Sequence, residues 1–216
     1  MKPANQGFAL PSLMVMLALA SIATLLAMRN LWVNEQLLNA QADQLRTQQK
    51  AEAALSVVLA DIVGAATHKD GTSNLRHTAG NDAQSHAFFP NSMGEYDLLR
   101  QRLSAGASLC SAGICAPHTL DAQATKASNW KTQTASAMPV GATDTPYGNN
   151  SAWYWVDVLP LHGTANANTP SPFVYRITAM AHGVMQGSTT VVQGIWVRDT
   201  STSSTGQWRS WHVLHD

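Results

Sequence analysis

The feature that most constrains this chain of 216 residues is a long apolar run near its N-terminus. The run from Phe8 to Met28 contains 21 residues without a charge and follows a short polar leader whose one cation is Lys2. As a helix at ~1.5 Å per residue, the run is roughly 31 Å long, about the thickness of a bilayer's hydrocarbon core. We therefore predict a helix that crosses a membrane once.

The N-terminal segment does not have the layout of an ordinary secretory signal. Such a signal has a basic head, about 7–15 apolar residues and a small-x-small cleavage site after them. In this chain the plausible cut lies before the apolar run, between Gly7 and Phe8. The apolar helix would therefore stay attached to the mature protein.

The residues after the apolar run continue the helical pattern. From Asn34 to Val63 the chain has no proline or glycine and is rich in Gln, Ala, Leu and Glu. Apolar side chains recur at seven-residue spacings, as at Leu31, Leu38 and Leu45. This pattern predicts one helix of about 55 residues, with an apolar first half and an amphipathic second half.

The cut at Gly7–Phe8, the retained apolar helix and the amphipathic continuation together resemble the type IV pilin family. Gly7-Phe8-Ala9-Leu10 carries the specific part of this resemblance. It implies that prepilin peptidase, a separate enzyme, cuts after Gly7 and N-methylates Phe8.

The resemblance implies an α+β fold, in which a long N-terminal α-helix packs against a C-terminal antiparallel β-sheet. The expected organisation has a leader peptide, a long helix with transmembrane and amphipathic parts, and a globular domain. Their ranges are 1–7 for the leader, 8–63 for the helix (transmembrane 8–28, amphipathic 29–63) and 64–216 for the globular domain.

One position departs from the pilin pattern. Most pilins carry a glutamate five residues into the mature chain, where this chain has Ser12. That carboxylate lies in lipid and neutralises the charged N-terminal amine of the neighbouring subunit, and an unpaired charge at that depth costs several kcal/mol. A subunit with Ser12 is therefore better suited to a place with nothing above it. The alternative is that Ser12 is a tolerated variation in an ordinary subunit.

Within the family, the chain most resembles PilX-type minor pilins. Besides Ser12, the helix segment from Gln49 to Leu55 and the segment from Leu109 to Cys115, followed by Trp130, carry this resemblance. The strand Tyr175-Arg176-Ile177-Thr178 adds to it.

The two cysteines, Cys110 and Cys115, have C-x4-C spacing in a domain expected to be exported. This predicts a disulfide, with a free pair or half of a metal site as the alternatives. A zinc site needs more ligands, and no second CxxC or neighbouring histidine pair supplies them. We expect the disulfide to hold a surface loop in one shape.

The globular part begins with polar loop sequence and ends with strand patterns. A short amphipathic helix is predicted at 96–103, closed by Gly106. Short connections between the strands favour an antiparallel meander packed on the long helix. The predicted strands are Trp153–Leu161, Phe173–Ala181, Thr189–Arg198 and Trp208–Leu214.

The tryptophans on the strands allow two interpretations. Trp153 and Trp155 share one strand face, and Trp208 and Trp211 lie on the last strand. We expect them to fill the interface between sheet and helix, because aromatic side chains dominate cores. The alternative is an exposed aromatic set that binds a sugar or a host surface.

Composition gives little support to an enzyme or a nucleic-acid binder. The net charge is zero, only 12% of residues are charged, and there is no basic stripe. Nucleotide loops, G-x-S-x-G and H-E-x-x-H are absent from the sequence. We expect no catalytic residues, metal or cofactor.

The resemblance implies a structural minor pilin that helps to initiate type IV pilus assembly and sits at or near the tip. The expected partners are other minor pilins, the major pilin, prepilin peptidase and the inner-membrane assembly platform. The expected location is the bacterial inner membrane, then the pilus at the cell surface. The alternatives are a tip adhesin, a platform for a large tip adhesin, and a type II secretion pseudopilin.

Overall fold

The computed structural model describes most of the chain after its first eight residues. The described residues are 9–64, 71, 74–77, 86–106, 109–122, 125–141, 152–161, 173–185, 187–200 and 203–215. They separate into two compact units, 1–43 and 44–216, which we treat individually. The predicted leader, cleavage site and methylation site, including Gly7 and Phe8, lie outside the described residues.

The first element is helix α1, Ala9–Val63. Within the unit 44–216, α1 buries one stripe of small and branched side chains, because residues three and four apart share a helix face. This stripe consists of Ala51, Ala54, Leu55, Val58 and Ile62. The stripe belongs to the same buried cluster as side chains of the sheet.

Helix α2, Met93–Ala105, has a reciprocal cap at its N-terminus. Ser92 Oγ accepts a hydrogen bond from the Glu95 amide at 3.3 Å, and Glu95 Oε2 accepts one from the Asn91 amide at 2.7 Å. Such caps satisfy amide groups that the helix leaves without partners. The predicted helix at 96–103 is thus confirmed and extends further at both ends, with Gly106 as its C-cap.

Short elements follow α2, and four long strands complete the chain. The short elements are β1 (Cys110–Ser111), β2 (Ile114–Cys115), α3 (Ala127–Trp130), a 3-10 turn (Thr134–Ser136) and β3 (Met138–Pro139). The long strands are β4 (Ala152–Pro160), β5 (Phe173–His182), β6 (Thr189–Arg198) and β7 (Gly206–Leu214). The four predicted strands are therefore confirmed, and their ends differ from the predicted ends by at most two residues.

The seven described strands form one sheet, in the order β1-β2-β4-β5-β6-β7. The meander from β4 to β7 is antiparallel throughout, as expected. The free edge of β4 is shared: β3 pairs antiparallel with its start, and β2 pairs parallel with its middle. The predicted antiparallel sheet is therefore confirmed, and among the described strands the pairing of β2 with β4 is parallel.

The sheet separates two clusters of buried side chains, since successive residues of a strand point to opposite faces. On β4, Tyr154, Val156 and Val158 join the cluster that contains the buried stripe of α1. Trp155 belongs to the second cluster, together with Trp130 and the two cysteines.

This division corrects the expectation that the strand tryptophans fill the interface between sheet and helix. Trp155 is buried on the face opposite to α1, with Trp153 packed partly buried against the same cluster. Trp196, which the prediction did not single out, is the tryptophan in the helix-facing cluster. Trp208 and Trp211 are exposed.

Candidate functional site

The N-terminal part of α1 is long and apolar enough to cross a membrane. Ser12 lies in this part, as the fourth residue of the described helix, and its side chain is exposed. No charged residue occurs between Ala9 and Met28, so the position where most pilins place a carboxylate carries a neutral hydroxyl. In lipid, a serine can bond to a carbonyl of its own helix and needs no charged partner.

The cysteines form a disulfide in the structure, and the bond closes a minimal hairpin. Cys110 in β1 and Cys115 in β2 are directly opposed, with 4.1 Å between their Cα atoms. The two residues of the turn, Ala112 and Gly113, both have positive φ, at 48° and 77°. Positive φ at both central positions is the requirement of a type I′ turn, whose twist matches that of the strands.

The hairpin is built into the sheet through β2, while Ser111 and Ala112 at its turn are exposed. Both cysteines are buried. The carbonyl of Gly113 accepts a hydrogen bond from the Val156 amide at 2.7 Å, and its amide donates to the Ser136 carbonyl at 2.9 Å. A Cβ on Gly113 would lie 2.7 Å from the carbonyl oxygen of Tyr154. Only glycine fits this contact between the turn and β4.

Trp130 covers the disulfide side of the sheet. It is fully buried in α3, and its ring centroid lies 4.8 Å from that of Trp155 with an interplanar angle of 55°. Both rings belong to the cluster that contains Cys110 and Cys115. The three parts of the predicted motif, the two cysteines and Trp130, therefore meet in one place.

Arg76 joins the hairpin to the long helix. Its Nε lies 2.7 Å from Asp61 Oδ2 on α1, and its Nη1 donates to the carbonyl oxygen of Ala112 at 2.7 Å. Tyr154 on β4 donates its hydroxyl to the same Asp61 oxygen at 2.5 Å. The guanidinium also lies over the Phe89 ring, 5.2 Å from its centroid. The carboxylate of Asp61 thus contacts Arg76 and the strand residue Tyr154, and through Arg76 it is linked to the hairpin.

A second charged network lies on the disulfide face. Arg176 on β5 pairs with Asp157 on β4, and its Nη2 lies 2.6 Å from Asp121 Oδ1. His118 Nδ1 lies 2.8 Å from the other oxygen of Asp121. This network ties the segment after the hairpin to the centre of the sheet.

The two acids of this network, Asp157 and Asp121, have pKa values shifted in opposite directions, because Asp157 is buried and Asp121 is partly exposed. Burial raises the pKa of Asp157 to about 6, although Arg176 acts against the shift. Hydrogen bonding from Arg176 lowers the pKa of Asp121, which is far more exposed. Asp157 therefore exchanges a proton in mildly acidic conditions while Asp121 stays charged.

Sequence reasoning found the cysteines, Trp130 and Ser12, and it missed the residues that position the hairpin. Asp157 was a usable signal, since it interrupts an otherwise apolar strand and so requires a buried partner. Arg176 faces it in the antiparallel register of β4 and β5. Arg76 gave no such signal, because it lies in a stretch of polar loop sequence.

The described residues offer no cluster of metal-binding type. Among them, no group of three or more His, Cys, Asp and Glu side chains is arranged to hold a metal ion. The buried charged groups are instead paired across elements of the fold, as at Asp61 and Asp157. Their geometry serves to position a hairpin on a sheet.

A long apolar N-terminal helix, whose later part packs on a mostly antiparallel sheet, is the α+β architecture of a type IV pilin. Residues 106–198 match the family model described as "Type IV pilus assembly protein PilX C-term". The match runs from the C-cap of α2 to the end of β6, so it includes the disulfide hairpin and both acids of the second network. It confirms the resemblance to PilX-type minor pilins over this part of the chain.

No curated protein and no solved structure matched the chain.

Proposed function

We propose that this chain is a structural minor pilin that takes part in initiating type IV pilus assembly and occupies a place at or near the tip. The observation that carries the proposal is Ser12, a neutral residue in an uncharged helical segment, in a chain whose later domain is of the PilX type. Before assembly the apolar part of α1 would hold the subunit in the bacterial inner membrane. Afterwards the same helix would pack inside the filament.

The physical argument concerns the amine that processing creates at the N-terminus of each subunit. In lipid, this charge needs a carboxylate on the neighbouring subunit, because an unpaired charge at that depth costs several kcal/mol. A subunit with Ser12 cannot supply the carboxylate, so it gains less by adding beneath another subunit. It loses nothing as the first subunit, since it has no subunit above it to neutralise.

The expected partners follow from this place in the filament. They are the other minor pilins and the major pilin, the inner-membrane assembly platform, and prepilin peptidase as the enzyme that cuts after Gly7 and methylates Phe8. Mass spectrometry of the mature chain tests the last step. An N-methylated Phe8 is expected, and an intact leader or a cut after Ala20 contradicts the proposal.

Deletion of the gene tests the role in initiation. Surface pili are expected to fall while the major pilin accumulates in the membrane, and the wild-type gene restores them. Unchanged piliation contradicts the proposal. Loss of a secreted protein without loss of pili would favour a secretion pseudopilin instead.

A variant at Ser12 tests the tip position. Gold labelling of the wild-type chain is expected at one end of sheared filaments. Ser12→Glu supplies the carboxylate and should spread the label along the filament, while the matched control Ser21→Glu, on the same exposed helix, should not. Wild-type label along the whole filament contradicts the tip position.

A further inference from the structure

Strand β7 has an open edge. Among the described residues it pairs with β6 alone, and it ends the order of the sheet. Along such a strand, alternate residues direct their amide and carbonyl groups away from the neighbouring strand. An open edge of this kind is a template for an extended polypeptide.

A bulge places two tryptophans of β7 on one face. Trp196 of β6 is opposite Trp208, but its neighbour Ile195 is opposite Ser210, so Arg209 is the extra residue. In a regular strand, residues three apart point to opposite faces. The bulge cancels this alternation, and Trp208 and Trp211 both line the groove beside α1.

A glycine on β6 determines how the first of these rings lies. A Cβ on Gly194 would be 2.6 Å from Cζ3 of Trp208, so the ring lies against bare backbone. The rings are nevertheless open to solvent, with 39% of Trp208 and 47% of Trp211 exposed. Two large apolar side chains are thus held in place and left uncovered by the described residues.

The groove between β7 and α1 has a volume of about 400 Å³, and the described residues that line it include one charged side chain. Leu55, Ser56 and Leu59 of α1 form the wall that faces the two tryptophans. The charge is Glu52, whose Oε1 accepts a hydrogen bond from Gln48 Nε2 at 2.9 Å. The opposite face of β7 is polar and exposed, with Gln207, Ser210 and His212.

We propose that this edge and groove bind an extended segment of another protein, which adds to the sheet as a strand beside β7. Alternate apolar side chains of the segment lie in the groove against Trp208, Trp211 and Leu59. A basic side chain of the segment faces Glu52, and its remaining side chains are polar, like those on the outer face of β7.

Three observations favour this occupant. The open edge supplies backbone donors and acceptors that only a polypeptide can pair in series. The groove has an apolar wall along one face, which suits side chains at every second position. The carboxylate of Glu52 in the groove complements a basic side chain of the segment. A sugar would need several polar partners beside the rings. Among the described residues that line the groove, the polar side chains other than the two indoles are Glu52 and Ser56.

The proposal is tested with the full chain in detergent micelles and a synthetic peptide, so it does not depend on the role in pilus initiation. The probe is a nine-residue peptide with valine at alternate positions, threonine between them and one lysine. Hydrogen exchange of the β7 amides is measured with and without the peptide. Exchange is expected to slow at least tenfold at saturating peptide.

The control peptide has the same side chains but N-methylated amides on its pairing edge. It is expected to give no protection, because it can fill the groove but cannot form the ladder. Equal protection by both peptides overturns strand addition. Absence of protection by either peptide, dimerisation of the chain through β7, or Trp211-dependent binding of a sugar in place of the peptide also overturns the proposal.

Two neighbouring substitutions separate the groove face from the outer face. Trp211→Lys should weaken peptide binding at least tenfold, whereas His212→Lys should change it less than twofold, although both add the same side chain to β7. Thermal unfolding of each variant checks that the fold is retained, and Trp211→Ser replaces Trp211→Lys if that variant unfolds. Equal effects of the two substitutions contradict the proposed groove.

Discussion

The guanidinium of Arg76 donates a hydrogen bond from Nη1 to the carbonyl oxygen of Ala112, at 2.7 Å. Ala112 is a central residue of the disulfide hairpin, and the Nε of the same arginine pairs with Asp61 of α1. The Arg76 side chain therefore connects the C-terminal end of α1 with the turn of the hairpin. Neither partner is near Arg76 in sequence, so the contact exists only in the folded domain.

Removal of Arg76 is expected to loosen this connection. Arg76→Met keeps much of the apolar stem and removes the charge, which leaves Asp61 with the Tyr154 hydroxyl and without its cation. We expect the free energy of unfolding to fall by about 2 kcal/mol, measured by urea denaturation of the full chain in detergent. Arg100→Met, on the exposed face of α2, is the matched control and should change it by less than about 0.5 kcal/mol. Equal losses would contradict the role of Arg76.

Gly113 tests the contact between hairpin and sheet. Gly113→Ala places a Cβ 2.7 Å from the Tyr154 carbonyl oxygen and 2.8 Å from the Met138 nitrogen, so the backbone has to move. Gly187 has a similar φ of 88°, but an added Cβ there meets nothing within 4 Å. Gly187→Ala should therefore lower the free energy of unfolding by about 1 kcal/mol, which is the cost of holding a non-glycine residue in the left-handed conformation. Gly113→Ala should cost at least twice that in thermal or urea unfolding, and equal costs would contradict the close approach.

Asp157 should make stability depend on pH. Because burial raises its pKa to about 6, and an aspartate in an unfolded chain titrates near about 3.9, the native state holds the proton to higher pH. The stabilising contribution of the protonated Asp157 side chain is therefore fully present below about pH 4 and is lost as the pH rises through about 6. The free energy of unfolding of the wild type, relative to Asp157→Asn, should fall over this window by up to about 3 kcal/mol.

Urea denaturation at a series of pH values between 4 and 7 measures this difference. The two proteins differ at position 157 alone, so the comparison isolates the effect of this carboxyl group. Asp157→Glu retains a carboxyl group and should keep a pH dependence of the same sign. A constant difference between wild type and Asp157→Asn would show that the buried carboxyl does not titrate in this window.

Loss of the disulfide should weaken the hairpin without unfolding the sheet. The loop between Cys110 and Cys115 is short, so its closure contributes about 2 kcal/mol on the loop-entropy account. The hairpin retains its hydrogen bonds through Gly113 and the anchor at Arg76. The double substitution Cys110→Ser, Cys115→Ser should lower the unfolding free energy by about that amount, with an unchanged far-ultraviolet spectrum. Loss of the β-sheet signal from the far-ultraviolet spectrum would show that the fold of the sheet requires the disulfide.

The elements of this fold with strong periodicity could be predicted well. The long strands β5 and β6 alternate or carry dense apolar residues and were placed within a residue of their observed ends. Helix α2 was found from its apolar spacing and from Gly106. The short strands β1, β2 and β3 were not predicted, because two residues carry no periodic signal and form strands only by pairing with β2 or β4.

The face on which a side chain is buried was harder to predict than the strand that carries it. Trp153 and Trp155 were correctly placed on one face, but that face is the one opposite to α1. A strand with apolar residues on both faces gives no preference between them, and β4 is of this kind. On β7, the bulge at Arg209 changed the register, so alternation counted along the chain could not place Trp208 and Trp211 on a common face.

The amino-acid sequence by itself determined the local properties of this protein. The uncharged run with Ser12, the helix that follows it, the cysteine pair and the positions of the long strands all depend on neighbouring residues and on simple periodicity. The tertiary structure alone decided which distant groups meet. Burial and charge pairing between distant residues are achieved only after the chain has folded. The contacts of this kind are those of Asp61 with Arg76, of Asp157 with Arg176, and of Trp208 with the groove beside α1.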